Sequence, residues 1–333
     1  MKNISLYTIL SLFILVGLGC DHETDFFDGP NLEDRFGEFN LLEGLAVNRT
    51  TVDFSAGEDV RMTARFNKNV DFIIRITGLE SGAVKVIEGF DNELDATNAI
   101  WEGGTTILPL FRLEMCRIEL EIPEESLVLE AMVEVVGARV YEGSLFTDFE
   151  DDLGSDLFLG NFEFELTGNT GRRFDGNAAE GNVYYYFEGT DNVVPNFFAG
   201  LVDISSTTTG ETYAPLPTTV PEDLWFNCFM YADGGPHGIA VIQFIVDSND
   251  SGAFEDGVDA AFQLDGDFPL DWTGWRHINH TMADLGMTEE DVTKIVAIRM
   301  LLISNMNSQP NPPLQVDYGI DFLTFTSGAP LEL

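Results

Sequence analysis

Apolar and polar side chains alternate along most of the chain between residues 41 and 142. The clearest run places Val60, Met62, Ala64 and Phe66 on one side of an extended segment, with polar residues between them. Because successive side chains of a strand point to opposite faces, this pattern predicts half-buried strands. Turn-forming residues separate the runs, and no long helical period intervenes. About a hundred residues of this kind predict an immunoglobulin-like β-sandwich over residues 41–142.

A second region of predicted strands follows, over residues 145–328. Its strand candidates are Phe162 to Leu166, Val183 to Phe187, Leu224 to Tyr231, Ile239 to Val246, Arg276 to Asn279, Ile295 to Ser304 and Val316 to Phe325. One short helix is predicted at residues 288–292, where Thr288 can cap a turn rich in acidic residues. Strands joined by long Gly-, Asn- and Asp-rich connections predict a jelly-roll sandwich. The expected fold is therefore all-β, with a small immunoglobulin-like sandwich followed by a jelly roll.

The first forty residues have the features of a targeting segment and a tether. A short positive start precedes the apolar stretch Tyr7 to Leu18, which is too short to span a bilayer and has the size of a signal-peptide core. The stretch ends in Gly-Leu-Gly-Cys20, which resembles a bacterial lipobox. Residues 1–20 are therefore predicted to be a lipoprotein signal peptide that leaves Cys20 lipidated. The alternative is an ordinary signal peptide with a chance cysteine.

Residues 21–40 are acidic and polar, and they predict a solvated tether. An acidic run directly after a lipidated cysteine resembles the surface-export signal of lipoproteins in glycan-foraging Gram-negative bacteria. The alternative is a spacer that continues the acidity of the whole chain. The resemblance implies a protein anchored in the outer membrane by acyl chains and facing the cell exterior.

The charge of the chain limits its ligands. The sequence has 57 acidic and 16 basic residues, a formal net charge of −41. Such a polyanion repels phosphate backbones, so nucleic-acid partners are not expected. Neutral ligands and metal cations fit this charge. Cys116 and Cys228 lie on the apolar sides of predicted strands in different domains, so buried free thiols are expected rather than a disulfide.

The strand Leu224 to Tyr231 carries the candidate ligand site. Its polar side displays Trp225, Asn227, Phe229 and Tyr231. Flat rings can stack on the C–H face of a sugar while an amide binds its hydroxyls. These residues are therefore predicted to bind a saccharide. The alternative is a strand buried on both faces.

Two further residues are added to this predicted site. Trp272 precedes a strand and is expected to be exposed, whereas Trp275 is expected in the core. Arg299 lies inside an apolar run, where it could be a paired core residue or point into the binding face.

Four segments resemble, in order and spacing, the galactose-binding-like jelly rolls of carbohydrate-binding modules. They are Gly181 to Phe187, Trp272 to Ile278 with Ala283 to Leu285, Val292 to Ile295, and Val316 to Leu323. Modules of this kind occur in surface glycan-binding lipoproteins of starch-utilisation-type uptake systems. The resemblance implies a non-catalytic protein that binds a polysaccharide or oligosaccharide for uptake or degradation. A glycan-uptake transporter complex is an expected partner.

One loop has the composition of a calcium site. Asp247, Asn249 and Ser251 occupy the first, third and fifth positions of a calcium loop, Gly252 the sixth, and Asp259 lies near its end. A strand precedes the loop and the usual final Glu is missing, so it is not an EF-hand. A solvated turn would use the same residue types.

The jelly-roll resemblance implies a second, structural Ca²⁺. Modules of this kind often hold the ion between an acid on the first strand and an acid on the last. The matching residues are Asp148 or Glu150 on the first strand and Asp321 on the last. The alternative is exposed carboxylates with no bound ion.

Two other functions remain open from the sequence. One is a calcium-stabilised adhesin or structural surface protein. The other is a glycoside hydrolase of jelly-roll fold, because two carboxylates suffice for that chemistry. Glu150-Asp151-Asp152 begins like a Glu-x-Asp-x-x-Glu catalytic strand, but Ser155 replaces the second acid. The prediction is therefore a binder without turnover.

Overall fold

A computed structural model describes residues 37–153, 157–159, 168–193, 198–234, 238–264, 268–304 and 314–333. The predicted strand Phe162 to Leu166 and the predicted lipidation residue Cys20 lie outside these ranges. None of the described helices is long and apolar enough to span a bilayer.

The N-terminal domain is built from one large sheet whose strands come from residues 41–137. Its strands are β1 (Leu41–Val47), β2 (Thr51–Asp53), β3 (Val60–Gly78), β4 (Val84–Leu94), β5 (Ile100–Trp101), β6 (Met115–Ile122) and β7 (Leu127–Gly137). The order is β1-β3-β6-β7-β2, and β4 and β5 also pair with β3. The pairs are antiparallel except β2 with β7, which run parallel.

The alternation along β3 produces the core of this domain, as the sequence predicts. Its even-numbered apolar residues from Val60 to Ile76 are buried, whereas most polar residues between them are exposed. Trp101 closes the core between Phe54 and Phe111, with ring centroids 4.7 Å from each and edge-on geometry. Its indole nitrogen donates to the Gly104 carbonyl at 2.9 Å, so the buried polar atom is satisfied.

The C-terminal domain is a sandwich of two antiparallel sheets. Its strands are β8 (Ser144–Thr147), β9 (Leu157–Leu159), β10 (Gly168–Arg173), β11 (Tyr184–Val193), β12 (Phe198–Ser205), β13 (Leu224–Asp233), β14 (Gly238–Val246), β15 (Ala260–Gln263), β16 (Phe268–Pro269), β17 (Thr273–Thr281), β18 (Ile295–Ser304) and β19 (Leu314–Ser327). The front sheet has the order β10-β11-β19-β13-β17, with β8 paired to β19. The back sheet has the order β15-β14-β18-β12-β9, with β16 paired to β14.

The two sheets bury their facing side chains in one core. Phe226 of the front sheet packs edge-on against Phe244 of the back sheet, with ring centroids 5.0 Å apart. The helix Glu289–Val292 begins at Thr288, whose side chain forms a capping box with Asp291, as predicted. The remaining described helices are single 3₁₀ turns at Phe54–Ala56, Pro123–Glu125, Ser206–Thr209 and Ala283–Leu285. The all-β prediction is confirmed.

The two remaining cysteines are buried and free, as predicted. Cys116 lies in the N-terminal core and Cys228 in the C-terminal core. Burial raises the pKa of both thiols well above the ordinary value, so both stay protonated.

The two domains share a buried junction formed around the segment 174–183, which connects β10 to β11. We call this segment the junction loop. The Leu110 amide donates to the Ala179 carbonyl at 2.7 Å. The Arg112 guanidinium donates to the carbonyls of Gly176 and Gly181 across the junction, at 3.0 and 3.3 Å, and to Glu80 in its own domain at 3.3 Å. A small apolar cluster of Leu110, Ala179, Phe229 and Leu331 lies beneath these bonds.

Replacing Arg112 tests how strongly this junction stabilises the protein. The change Arg112→Ala leaves carbonyls in both domains without their charged donor, so we expect the free energy of unfolding to fall by about 2 kcal/mol. Urea unfolding followed by tryptophan fluorescence measures it. Arg65→Ala is the control, because Arg65 forms only an exposed ion pair with Glu43. Equal effects of the two changes would contradict a stabilising junction.

Candidate functional site

A row of aromatic side chains, with one glycine between them, crosses the outer face of the front sheet. Strand register places Tyr186 of β11, Gly319 of β19, Tyr231 of β13 and Trp275 of β17 next to one another. We call these four residues the aromatic row. The neighbours of Tyr186, Tyr231 and Gly319 along their strands belong to the core, so the row faces outward. The three rings are half-buried, and the centroids of Tyr231 and Trp275 lie 5.5 Å apart.

Gly319 lets the rings close over the strand. A Cβ atom at this position would lie 2.8 Å from the Tyr184 ring and 3.1 Å from the Trp275 ring. These two rings meet edge-on with centroids 5.4 Å apart. Any other residue would therefore push them off the sheet. The missing side chain is part of what makes the aromatic surface continuous.

The junction loop holds Trp275 of the row and the neighbouring Tyr184 in place. The Trp275 indole nitrogen donates to the Asn177 carbonyl at 2.7 Å, and the Tyr184 hydroxyl donates to Asp175 at 3.0 Å. Aromatic side chains that are fixed before a ligand arrives lose little conformational entropy on binding. The row is therefore a preformed surface.

Charged groups lie beside the row and offer hydrogen bonds. The Arg173 guanidinium stacks over the Tyr186 ring at 3.8 Å from its centroid. It lies 2.7 Å from a Glu188 oxygen and 3.6 Å from an Asp317 oxygen. Burial raises the pKa of Asp317, and the charge of Arg173 opposes that shift. About a third of each carboxylate side chain is exposed, so both can reach a ligand.

Of the predicted ligand residues, Tyr231 lies in the row and Trp225 is half-buried further along the same face. Asn227 and Phe229 require a correction, because both are fully buried. The Leu331 amide donates to the Asn227 side chain at 2.9 Å, and Phe229 stacks on Phe322 with centroids 5.5 Å apart. The chain after β19 and the N-terminal domain cover this half of the strand, so it is buried on both faces.

The expectations for the two neighbouring tryptophans were wrong. Trp272 is 6% exposed and belongs to the core, where its indole nitrogen donates to the Gly274 carbonyl. Trp275 lies outside. Strand β17 begins at Thr273, and its register places Trp275 directly opposite Tyr231. The sequence indicates that Tyr184 and Tyr186 share a face and could extend the aromatic surface, whereas Arg173, Glu188 and Asp317 were absent from the predicted site. The alternation of Tyr184 and Tyr186 along one strand was the available signal.

Arg299 lies on the other side of the sandwich. Its guanidinium binds Asp203 through two hydrogen bonds of 2.6 and 2.9 Å and Asp256 through one of 3.0 Å, on the outer face of the back sheet. Arg299 is therefore separated from the aromatic residues with which it was predicted to form a binding site. Of the two alternatives given by the sequence, the ion-paired residue is the one observed. Gln243 and Gln263 lie in the same row of the back sheet, with their amides bonded at 3.0 Å.

The predicted calcium loop is closed by its own hydrogen bonds. Asp247 accepts from the amides of Asn249, Ser251 and Gly252 and from the Tyr213 hydroxyl. Burial acts to raise the pKa of Asp247, but these donors outweigh it and lower the pKa. Asp259 accepts from the amides of Ser248 and Glu255. The carboxylate oxygens that were predicted to bind a cation thus already accept hydrogen bonds from the loop. This arrangement is typical of a turn rather than of a calcium site.

The second predicted calcium site surrounds the junction loop. Asp321 accepts from the amides of Ala179 and Glu180 at 2.9 Å, and Glu150 accepts from the amide of Val183 at 2.8 Å. Asp148 accepts from the Glu150 amide at 3.1 Å. In the part of the chain that the structure describes, no group of three or more His, Cys, Asp or Glu side chains could hold a metal ion.

Glu180 is the acid that sequence reasoning missed here. One oxygen of its carboxylate is buried and has no hydrogen-bond partner among the described residues. Burial, with the charges of Asp148 and Glu150, raises its pKa to about 7. The unpartnered oxygen of Glu180 is an observation that favours a cation at this place, although the surrounding acids do not converge on one point. Calcium there stays a prediction.

No protein-family model matches the sequence, and no match was found among curated proteins. Several solved structures are similar to the fold. One comes from work on the promiscuous specificity of carbohydrate-binding modules from the β-sandwich superfamily, and it has a TM-score of 0.38 and 11% identity. The similarity covers 87% of this chain and 98% of that one. SGBP-B from a complex xyloglucan utilization locus in Bacteroides uniformis has a TM-score of 0.35 and 10% identity, covering 87% and 73%.

The family 11 carbohydrate-binding module from Clostridium thermocellum, in complex with a β-1,3-1,4-mixed-linked tetrasaccharide, has a TM-score of 0.33 and 11% identity. It covers 58% of this chain and 99% of that one. Since these similarities are low, the function of this chain is inferred from its own surface.

Replacing Glu180 tests its buried charge. An acid whose pKa is raised on folding does not lower the free energy of unfolding below its unfolded pKa of about 4.5, because it is protonated in both states. Above its folded pKa of about 7 it is charged in both states and lowers the free energy of unfolding by the full amount. Glu180→Gln should therefore match the wild type near pH 4.5 and be more stable by about 2 kcal/mol at pH 8. Thermal unfolding across this pH range measures the difference, with exposed Glu130→Gln as the control. If calcium binds here, millimolar Ca²⁺ raises the wild-type melting temperature at pH 8 more than the variant's. Parallel pH profiles would contradict the assignment.

Proposed function

We propose that this protein binds a neutral polysaccharide or oligosaccharide through the aromatic row, without turnover. The observation that carries the proposal is the row itself, in which the rings of Tyr186, Tyr231 and Trp275 lie around Gly319 on an outward sheet face. Rings of this kind bury the C–H faces of successive sugar units. The net charge of −41 favours a neutral glycan over an anionic one.

The neighbouring charges supply orientation. Hydroxyl groups of a sugar both donate and accept hydrogen bonds. Glu188 and Asp317 can accept from them, and Arg173 can donate to them. Because Trp275 is hydrogen-bonded to Asn177 and Tyr186 is stacked under Arg173, binding requires little further ordering of these rings, although the surface is open to water. Dissociation constants in the micromolar to millimolar range are expected.

The arrangement of the acids supports a binder rather than a glycoside hydrolase. Hydrolysis requires two carboxylates that flank a glycosidic bond, one of them as a general acid. Glu188 and Asp317 are paired residues of adjacent strands on the same sheet face, and both interact with Arg173. Both acids would therefore lie on the same side of a bound glycan, and both are paired with Arg173. In this arrangement they are poorly placed to act from opposite sides of a glycosidic bond.

Removal of the rings tests the glycan site. Tyr231→Ala or Trp275→Ala removes a stacking surface, so we expect affinity for the bound glycan to fall by about 30-fold, or about 2 kcal/mol. Affinity gels with a panel of neutral and anionic polysaccharides measure the retardation. Gln243→Ala and Gln263→Ala on the back sheet are matched controls and should bind like the wild type.

Each other result has a distinct meaning. Loss of binding in the Gln243→Ala or Gln263→Ala variant, with the row variants unaffected, would move the site to the back sheet. No retardation on any glycan would overturn glycan binding and favour the adhesin alternative. Release of new reducing ends would favour the hydrolase.

We also propose that the chain is a lipoprotein of the outer membrane, acylated at Cys20 and facing the exterior, with a glycan-uptake transporter as partner. The lipobox-like Gly-Leu-Gly-Cys20 and the acidic residues after it support this. Cys20→Ser should abolish incorporation of labelled palmitate and release the protein from the membrane fraction. Protease treatment of intact cells measures exposure at the surface. Labelling that persists in the variant would contradict acylation at this residue.

A further inference from the structure

A cavity of about 550 Å³, which we call the junction cavity, lies between the linker that connects the two domains and the C-terminal domain. The linker 139–143 forms one wall, residues 326–332 form the other, and Pro217 adds to the lining. Ligand sites are commonly clefts of roughly 300–1,000 Å³ and often lie at domain interfaces. The lining residues are all distinct from the aromatic row, so this is a separate place on the molecule.

The walls of the cavity are held from both sides. A Cβ atom at Gly143 would lie 2.7 Å from the Phe325 carbonyl oxygen, so the linker lies in close backbone contact with β19. The Tyr141 ring packs edge-on against Phe322, with centroids 6.2 Å apart. On the opposite wall, the Leu331 amide is bound to Asn227. The cavity is therefore preformed, which lowers the cost of ordering a ligand.

Polar groups of both kinds line the cavity. The Arg139 guanidinium stacks over the Tyr141 ring at 5.1 Å and forms no ion pair with the described part of the chain. The Tyr141 hydroxyl is buried, so this residue contributes its ring rather than a polar group to the lining. Glu142 and Glu332 add exposed carboxylates.

We propose that this junction cavity is a second binding site, for a short neutral saccharide. A sugar hydroxyl can accept from Arg139 and donate to Glu142 or Glu332, so one ligand class satisfies both kinds of group. The rings of Pro217 and Pro330 offer apolar contact to its C–H faces. Two carboxylates disfavour an anion. The inference rests on the proposed glycan-binding function and adds a second site to it.

Blocking the mouth of the cavity tests the site. Val140 is 73% exposed and lines the cavity, so Val140→Trp should fill it without disturbing a core. Isothermal titration with maltotetraose and cellotetraose should show two binding events in the wild type and one in Val140→Trp. Trp275→Ala should retain only the cavity event. Ser327→Trp is a second block from the opposite wall, and Val128→Trp, 53% exposed on β7, is the control that keeps both events.

The outcomes separate the two sites. A binding event lost in Val140→Trp and Ser327→Trp but retained in Trp275→Ala supports the cavity site, even if the row fails. Two events that survive both blocks, or a single event that only Trp275→Ala removes, overturn the cavity site and leave the row standing. Absence of any binding of either tetrasaccharide to the wild type also overturns the cavity site, and the polysaccharide gels then decide the row. Unchanged near-ultraviolet circular dichroism confirms that each variant is folded.

Discussion

The carboxylate of Asp321 is buried in the front sheet and accepts hydrogen bonds from the amides of Ala179, Glu180 and Phe322. Burial raises the pKa of this acid well above its ordinary value, against the effect of these donors. A buried acid is costly unless its oxygens are satisfied, and here the satisfying amides belong largely to the junction loop. Asp321 therefore ties that loop directly to β19, in addition to the bonds that the loop forms with Arg112, Glu150 and Trp275.

The same loop serves both sides of the molecule. Its carbonyls at Gly176, Ala179 and Gly181 accept from the N-terminal domain, while its carbonyl at Asn177 holds the Trp275 indole. The contact between the domains and the orientation of the aromatic row are thus fixed by neighbouring atoms of one segment. We therefore expect a structural change at the domain junction to alter the position of Trp275, because the same short segment contacts both.

Much of the fold could be predicted from the sequence because it is local. Alternation marks β13, β14, β18 and β19 to within a few residues, and the capping pattern marks the helix that begins at Thr288. The site was predicted less well, because its exposure depends on distant parts of the chain. The side chain of Asn227 is covered by Leu331, 104 residues away, and Arg299 finds Asp203 at a separation of 96 residues. Turn residues and calcium ligands are the same residue types, so composition alone could not separate them at Asp247.

The two core thiols have a consequence for how the folded protein responds to oxidants. Thiol exchange and oxidation proceed through the thiolate, and the raised pKa values of Cys116 and Cys228 leave almost none of it at neutral pH. Each thiol is also enclosed by a different hydrophobic core. Neither Cys116 nor Cys228 is therefore expected to form a crossed or intermolecular bridge while the two domains stay folded.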